Sequence, residues 1–201
     1  MLPIKYPVIE MFQSIQGEGV HQGKCVIFVR LAGCNLKCEF CDTDFSEAKA
    51  TNMTAEQIIK TIKAEDYTAN IVVITGGEPT IHNLTVLTSA LFDYGFQIYL
   101  ETNGTNKLPH SHMFRHISAS PKPPEYALNI ERYSELKYVV SAEFDMEKVE
   151  PQIQRALAMG LPVFLQVESC KKESIDRIME YIKAEPRLRL GTQVHKYLEV
   201  Q

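Results

Sequence analysis

The sequence predicts an α/β fold in which about six parallel strands form an open or partial (β/α) barrel with reduced helices. Three observations point there. Short apolar, β-branched runs alternate along the chain with stretches of helical amphipathic period, the pattern of parallel βα units. The chain has 201 residues, fewer than the ~250 typical of a closed eightfold barrel. The residues richest in chemistry fall just after predicted strands, where barrels of this kind carry their sites.

The segment Cys25 to Leu31 is apolar and β-branched and reads as a buried strand, with a cysteine-rich loop directly behind it. Thr54-Ala55-Glu56-Gln57 has the form of a helix capping box, and Ala55, Ile58, Ile59 and Ile62 then share one helical face. Ile71 to Ile74 is a second buried strand, ending in Thr75-Gly76-Gly77-Glu78-Pro79. Leu84, Leu87, Leu91 and Tyr94 line a helix that Gly95 terminates. Further strands are expected at 97–101, 117–119, 136–140, 163–167 and 188–190. A helix from about Asp145 to Met159 turns Met146, Val149, Ile153 and Leu157 inward and stops at Gly160. Ile175, Ile178, Met179 and Ile182 mark one more. With no repeat, low-complexity segment or linker, residues 1–201 are expected to form one domain.

Composition narrows the classes. Hydrophobic residues at 45% and charged residues at 23% suit a globular protein with a real core. A net charge of −4 argues against a general nucleic-acid or membrane-surface binder. No apolar run approaches the length of a membrane span, and the N-terminus does not read as a signal peptide. Five cysteines, an odd number with three clustered, do not suggest a disulfide framework, so a reducing cytoplasm is the expected compartment.

The cluster is the strongest signal in the chain. Cys34, Cys38 and Cys41 stand as CxxxCxxC and put three thiols in one short loop. A cubane iron–sulfur cluster normally takes four cysteine ligands, so three leave one iron with an open position. Open positions are where metals do chemistry. A zinc knuckle is the bland alternative, but it needs a fourth ligand, and the next Cys or His after Cys41 is His82. Cys25 and Cys170 have no metal spacing and read as buried apolar residues. Both the cysteine loop and the Gly-Gly-Glu-Pro turn follow strands, which unites them in one site.

These two motifs resemble those of the radical S-adenosylmethionine (SAM) superfamily. A narrower resemblance, to the 7-carboxy-7-deazaguanine synthases, covers about residue 8 to the C-terminus. It rests on the run Met11 to Gly19 (Met-Phe-Gln-Ser-Ile-Gln-Gly-Glu-Gly), Arg30, Cys41-Asp42-Thr43, Thr75 to Pro79 and Glu101-Thr102-Asn103-Gly104. Ser120-Pro121-Lys122 and His195-Lys196-Tyr197-Leu198 complete it. The upstream Gln-Gly-Glu-Gly and terminal His-Lys-Tyr-Leu runs separate this family from other radical SAM enzymes.

The resemblance implies a [4Fe-4S] cluster, SAM and Mg²⁺ as cofactors. It implies contraction of 6-carboxy-5,6,7,8-tetrahydropterin to 7-carboxy-7-deazaguanine with loss of ammonia, a step towards queuosine. Hydrogen is abstracted at C6 of the pterin, the ring rearranges, hydrogen returns and SAM is regenerated. An electron donor such as flavodoxin or ferredoxin and a homodimer are implied as well.

Residue by residue, the resemblance makes Cys34, Cys38 and Cys41 cluster ligands and Thr43 the Mg²⁺ position, its hydroxyl being a suitable hard ligand. Without that context Thr43 is a polar turn residue. Phe40, Asp42, Gly77, Ser120, Lys122, Gln166 and Ser169 become SAM contacts, and the carbonyls of Gly76 and Gly77 receive the SAM ammonium, to which Glu78 adds charge. Gln166-Val167-Glu168-Ser169 departs from the expected Gln-Pro-hydrophobic-Ser, which puts Val167 and Glu168 in doubt. Substrate is expected against Ile15, Gln16, Gly17 and Glu18, with Arg30 and Thr75 opposite. Arg30 offers a bidentate fork for a carboxylate; the competing reading is a strand-end arginine snorkelling to water. His195 either closes the site or is a surface histidine. Two rival functions are a radical SAM glycyl-radical activase, which leaves Gln-Gly-Glu-Gly unexplained, and an electron-transfer or zinc-binding module.

Overall fold

A computed structural model describes residues 3–169 and 171–200. Its nine strands are β1 (Lys5–Ile15), β2 (Cys25–Leu31), β3 (Thr51–Thr54), β4 (Ile71–Gly76), β5 (Gln97–Thr102), β6 (His116–Ala119), β7 (Glu135–Val140), β8 (Val163–Val167) and β9 (Arg189–Gly191). Five helices accompany them: α1 (Ala55–Ala64), α2 (Thr85–Asp93), α3 (Met146–Ala158), α4 (Lys172–Ala184) and α5 (Val194–Leu198). The strands make one open sheet in the order β3-β1-β2-β4-β5-β6-β7-β8-β9. From β2 to β9 every pairing is parallel, while β1 runs antiparallel to both β2 and β3. The partial barrel is therefore as expected, with seven parallel strands and an antiparallel edge that the sequence did not announce.

Alternation along the strands sorts the sheet into two faces. Ile27, Val29 and Leu31 of β2 join Val72, Ile74, Ile98, Leu100, Ile117, Leu136 and Tyr138 in the main core. Ile58, Ile62, Leu87, Leu91, Val149, Ile153 and Ile178 cover them from the helices. Val26, Ile71, Val73 and Tyr99 form a smaller cluster on the opposite face, with Phe28 against it. On that inner face the last positions of β2, β4 and β5 carry Arg30, Thr75 and Glu101, and β7 carries Lys137 between Glu135 and Val139. The fold thus turns polar side chains towards the mouth, above this small apolar cluster.

Local chemistry explains most boundaries. Thr54 Oγ1 accepts from Gln57 N (3.2 Å) and Gln57 Oε1 from Thr54 N (2.8 Å), so the capping box at α1 is complete. Asp145 caps α3 by accepting from Glu147 N and Lys148 N. Three expected core residues stand elsewhere. Tyr94 lies beyond the end of α2, is 54% exposed, and sits under Lys63 Nζ at 4.2 Å from its ring centroid. Met179 is exposed because it lies at the edge of the inward stripe of α4, whose centre is Ile178. Cys25 is exposed, since it opens β2 opposite the last residue of β1. Cys170 lies outside the described residues. Among the described residues no helix is long and apolar enough to cross a membrane.

Candidate active site

A cleft of about 390 Å³ opens at the C-terminal ends of the parallel strands. It gathers the expected residues from segments far apart in the chain. Cys34, Cys38, Phe40, Cys41, Asp42 and Thr43 come from the β2–β3 loop, Thr75, Gly76 and Gly77 from the end of β4, and Ser120 and Lys122 from behind β6. Gln166 and Ser169 follow from β8, while Ile15, Gln16, Gly17, Glu18, Arg30 and His195 complete the wall.

The glycine pair fixes the cysteine loop. A Cβ on Gly76 would lie 2.2 Å from Leu31 O, and one on Gly77 would lie 2.2 Å from Gly33 O and 2.8 Å from Cys34 Cβ. Only a residue without a side chain lets the two strand ends meet this closely. Gly77 N then donates to Leu31 O (3.2 Å) and Glu78 N to Gly33 O (2.9 Å), locking the loop to β4. Glu78 itself departs from expectation. Its carboxylate is buried and accepts from Thr80 N (3.0 Å), Thr102 Oγ1 (2.7 Å) and Asn103 N (2.6 Å). It ties β4 to β5 rather than lining the cleft.

Cys34, Cys38 and Cys41 are unpaired thiols facing the same cleft. Burial pushes the thiols of Cys34 and Cys38 above their ordinary value, the direction expected before a cation arrives. Among the described residues no three His, Cys, Asp or Glu groups converge on a single-ion site. A cubane spreads its ligands over separate irons, so three thiols on one loop suit it better than they suit one ion.

Opposite the cysteines, Gln166 is 3% exposed, yet neither atom of its amide has a hydrogen-bond partner among the described residues. A buried amide left this way along a cleft is a place for a polar ligand. Lys122 Nζ donates to Ser120 Oγ (2.5 Å), and burial, helped by Lys137, holds its ammonium below the usual lysine range. Glu168, at the position that departs from the family pattern, pairs with Lys171 (2.5 Å) and also lines the cleft.

The third wall is an ionic network. Lys137 Nζ donates to Glu18 Oε2 (2.6 Å) and Glu101 Oε2 (2.7 Å), with only 6% of its side chain exposed. Gln16 Nε2 donates to the other oxygen of Glu101 (3.0 Å) and Gln193 Nε2 to the other oxygen of Glu18 (2.9 Å). Burial opposes charge on Lys137, but Glu101 and Glu18 outweigh it and raise its pKa. Burial likewise opposes charge on Glu18, and Lys137 overcomes it, holding that carboxyl low. For Glu101 burial wins over Lys137, with the Glu18 charge on its side, and the carboxyl is raised. One ammonium between two carboxylates thus pushes their affinities for a proton apart, Glu18 downward and Glu101 upward.

Further contacts shape the wall. Arg30 lines the cleft with its Nε held by Glu10 Oε1 at 2.6 Å, a contact that orients its guanidinium. Helix α5 closes over the Gly17 turn. Val194 N donates to Gly17 O (3.0 Å), and a Cβ on Gly17 would lie 1.9 Å from His195 Nδ1, so the imidazole packs on bare backbone. Gln193 also reaches Asp42 Oδ2 (3.3 Å) and Lys196 pairs with the same carboxylate, joining the C-terminal segment to the cysteine loop. Thr43 Oγ1 donates to Asp42 Oδ1 at 3.3 Å. Sequence reasoning gave no role to Glu101, Lys137, Gln193 or Lys196. A lysine inside the apolar strand Leu-Lys-Tyr-Val-Val was the available signal.

Known proteins resemble this chain over its whole length. The Radical SAM superfamily profile matches residues 28–184. A 7-carboxy-7-deazaguanine synthase of Synechocystis sp. is 35% identical over 100% of this chain and 96% of its own. The protein of that name from Aquifex aeolicus is 36% identical over 96% and 93% of the two chains, and that from Escherichia coli 32% identical over 98% and 100%. The crystal structure of QueE from Escherichia coli superposes with a TM-score of 0.78 at 30% identity, covering 95% of each chain.

Proposed function

Since the chain belongs to the radical SAM superfamily and, within it, to the 7-carboxy-7-deazaguanine synthases, we propose that its cleft contracts 6-carboxy-5,6,7,8-tetrahydropterin to 7-carboxy-7-deazaguanine with loss of ammonia. The observation that carries the reading is one cleft lined by chemically distinct groups. Three thiols and an unpartnered buried amide line it together with an oriented arginine and a Glu–Lys–Glu network. Superfamily membership implies a [4Fe-4S] cluster and SAM, which together supply a 5′-deoxyadenosyl radical when bound and reduced.

Cys34, Cys38 and Cys41 hold the cluster in this proposal. Phe40, Asp42, Gly77, Ser120, Lys122, Gln166 and Ser169 hold SAM, the Gln166 amide finding there the partners it lacks within the protein. Ile15, Gln16, Gly17 and Glu18 meet the amino and amide edge of the pterin, where paired donors and acceptors are needed. Arg30 takes its carboxylate and Thr75 stands beside it. Thr43 offers a hard oxygen to Mg²⁺, which otherwise keeps water and substrate oxygens. His195 and the rest of α5 cover the bound ring and exclude water from it. A reductant of the flavodoxin or ferredoxin kind supplies the electron, and the working form is a cytoplasmic homodimer. Glycyl-radical activation has no support among the relatives described, which carry the synthase name.

The test uses substrate deuterated at C6. Deuterium recovered in SAM or 5′-deoxyadenosine during anaerobic turnover is the expected result. Deuterium that stays in unreacted pterin while SAM is consumed would overturn the assignment.

A further inference from the structure

Beneath the cleft lies a set of buried titratable groups to which the reaction so far gives no role. Glu101 of β5 pairs in register with Ser118 of β6, and Ser118 with Glu135 of β7. The residues between them, Leu100, Ile117, Ala119 and Leu136, belong to the main core, so Glu101, Ser118 and Glu135 share the inner face. Ser118 is 1% exposed, and its hydroxyl has no hydrogen-bond partner among the described residues. A buried hydroxyl left so between two carboxylates calls for an explanation.

The groups continue away from the cleft. Glu135 Oε1 lies 3.6 Å from His116 Nε2, and Glu135 Oε2 accepts from Val20 N at 2.9 Å. Gly19 permits that contact, because a Cβ there would fall 2.1 Å from the carboxylate. The ring of His21 meets that of His116 edge-on at 4.4 Å and stacks on Tyr99 at 4.7 Å. His21 is only half-buried, so the series ends at solvent towards the N-terminal ends of the strands, away from the cleft.

We propose that Glu101, Ser118, Glu135, His116 and His21 form a proton path linking the cleft to solvent through the floor of the barrel. The proposal rests on the reaction proposed above. Ring contraction with loss of ammonia requires a proton to leave a ring carbon and another to reach the departing amine, while α5 covers the mouth. Only protons move along the path. Glu101 takes up the proton that leaves the ring carbon and passes it to Ser118 Oγ through a water that Ser118, Glu101 and Glu135 can hold, Ser118 Oγ having no direct partner among the described residues. The hydroxyl passes its own proton to Glu135, and the two imidazoles relay it to solvent, with no heavy-atom bond changed and nothing oxidised. The groups facing Glu135 are His116, His21, Lys137, Glu101 and the Val20 amide. Burial, with the Glu18 charge beside it, raises the Glu101 carboxyl, the direction that favours taking up a proton. Glu135, which His116 and Lys137 hold low against the effect of burial, passes it on without retaining it. Burial, His116 and Lys24 depress His21 to about 4, leaving a neutral ring with one N–H and one acceptor nitrogen at working pH.

Steady-state turnover of the reconstituted holoenzyme tests this with three variants. Ser118→Ala should lower kcat roughly tenfold or more, within the range of lost acid–base relays, while leaving the KM for the pterin unchanged. Ser141→Ala, which removes another unpartnered buried hydroxyl away from the path, should turn over like wild type. His21→Ala should lose a similar factor and regain it when imidazole is added to the buffer, a rescue that a structural role would not show. Full kcat in Ser118→Ala, or loss in His21→Ala that imidazole does not restore, overturns the path alone. Absence of product from wild type overturns the reaction and the path together.

Discussion

Lys137→Met removes the one cation from between Glu18 and Glu101, and the size of the effect follows from the contacts. At an effective dielectric near 20, the separations of 2.6 and 2.7 Å correspond to roughly 6 kcal/mol of attraction each. Desolvating an ammonium and two carboxylates offsets several kcal/mol per ion. What experiment reads when one partner of a buried pair is removed is about 3–5 kcal/mol, because the remaining charges are stranded. Urea unfolding of the ligand-free protein should show a loss of that size near neutral pH. The sign with pH is fixed. Glu18 is held low in the fold, so its contribution is present above the ordinary glutamate value and fades as pH falls through the folded one. Lys137 is raised, so its contribution is present below the ordinary lysine value and is lost only at more alkaline pH. The gap between wild type and Lys137→Met is therefore widest between about pH 5 and 10 and closes on acidification, as the stranded carboxylates of the variant take up protons. Combining Lys137→Met with Glu18→Gln and Glu101→Gln should recover most of the loss, since no buried charge remains. A gap below ~1 kcal/mol, or one of equal size at pH 4 and pH 8, would refute the reasoning.

Other perturbations probe the frame around the cleft. Gly77→Ala drives a methyl group against Gly33 O at 2.2 Å. The cysteine loop must move, and iron bound per chain after reconstitution should fall well below wild type, with ~1–3 kcal/mol of stability lost. Glu78→Ala leaves the Asn103 amide and the Thr102 hydroxyl without their acceptor, so thermal unfolding should show a loss of ~2–4 kcal/mol. Gln193→Ala unlinks Glu18 from Asp42, and the KM for the pterin should rise several-fold while iron content stays at the wild-type level.

Local signals carried the parallel half of the fold. The strand Cys25–Leu31, the Thr54 capping box and the stripes of α1 and α3 are each written in a few consecutive residues, and the structure follows them. Strand β1 was not legible as a strand. Pro7 interrupts it, its register slips between Val8 and Glu10, and its mixed burial never settles into clean alternation. The motif residues of the site converge because each follows a strand end, a property of the fold that sequence spacing already encodes. Lys137, Glu101 and Gln193 were hidden for the opposite reason. Their pairing depends on the register between β5 and β7 and on where the C-terminal segment returns, neither of which is local. The Gly-Gly pair has a packing role that its motif did not announce: the atoms nearest its missing side chains belong to the end of β2 and the start of the cysteine loop.

The central claim meets its most direct test in an anaerobic assay of reconstituted protein with dithionite, SAM, Mg²⁺ and 6-carboxytetrahydropterin, read by mass spectrometry. The account predicts 7-carboxy-7-deazaguanine and ammonia in equal amounts, with SAM recovered intact over many turnovers. Steady cleavage of SAM without that product, from protein carrying a full cluster, would contradict it.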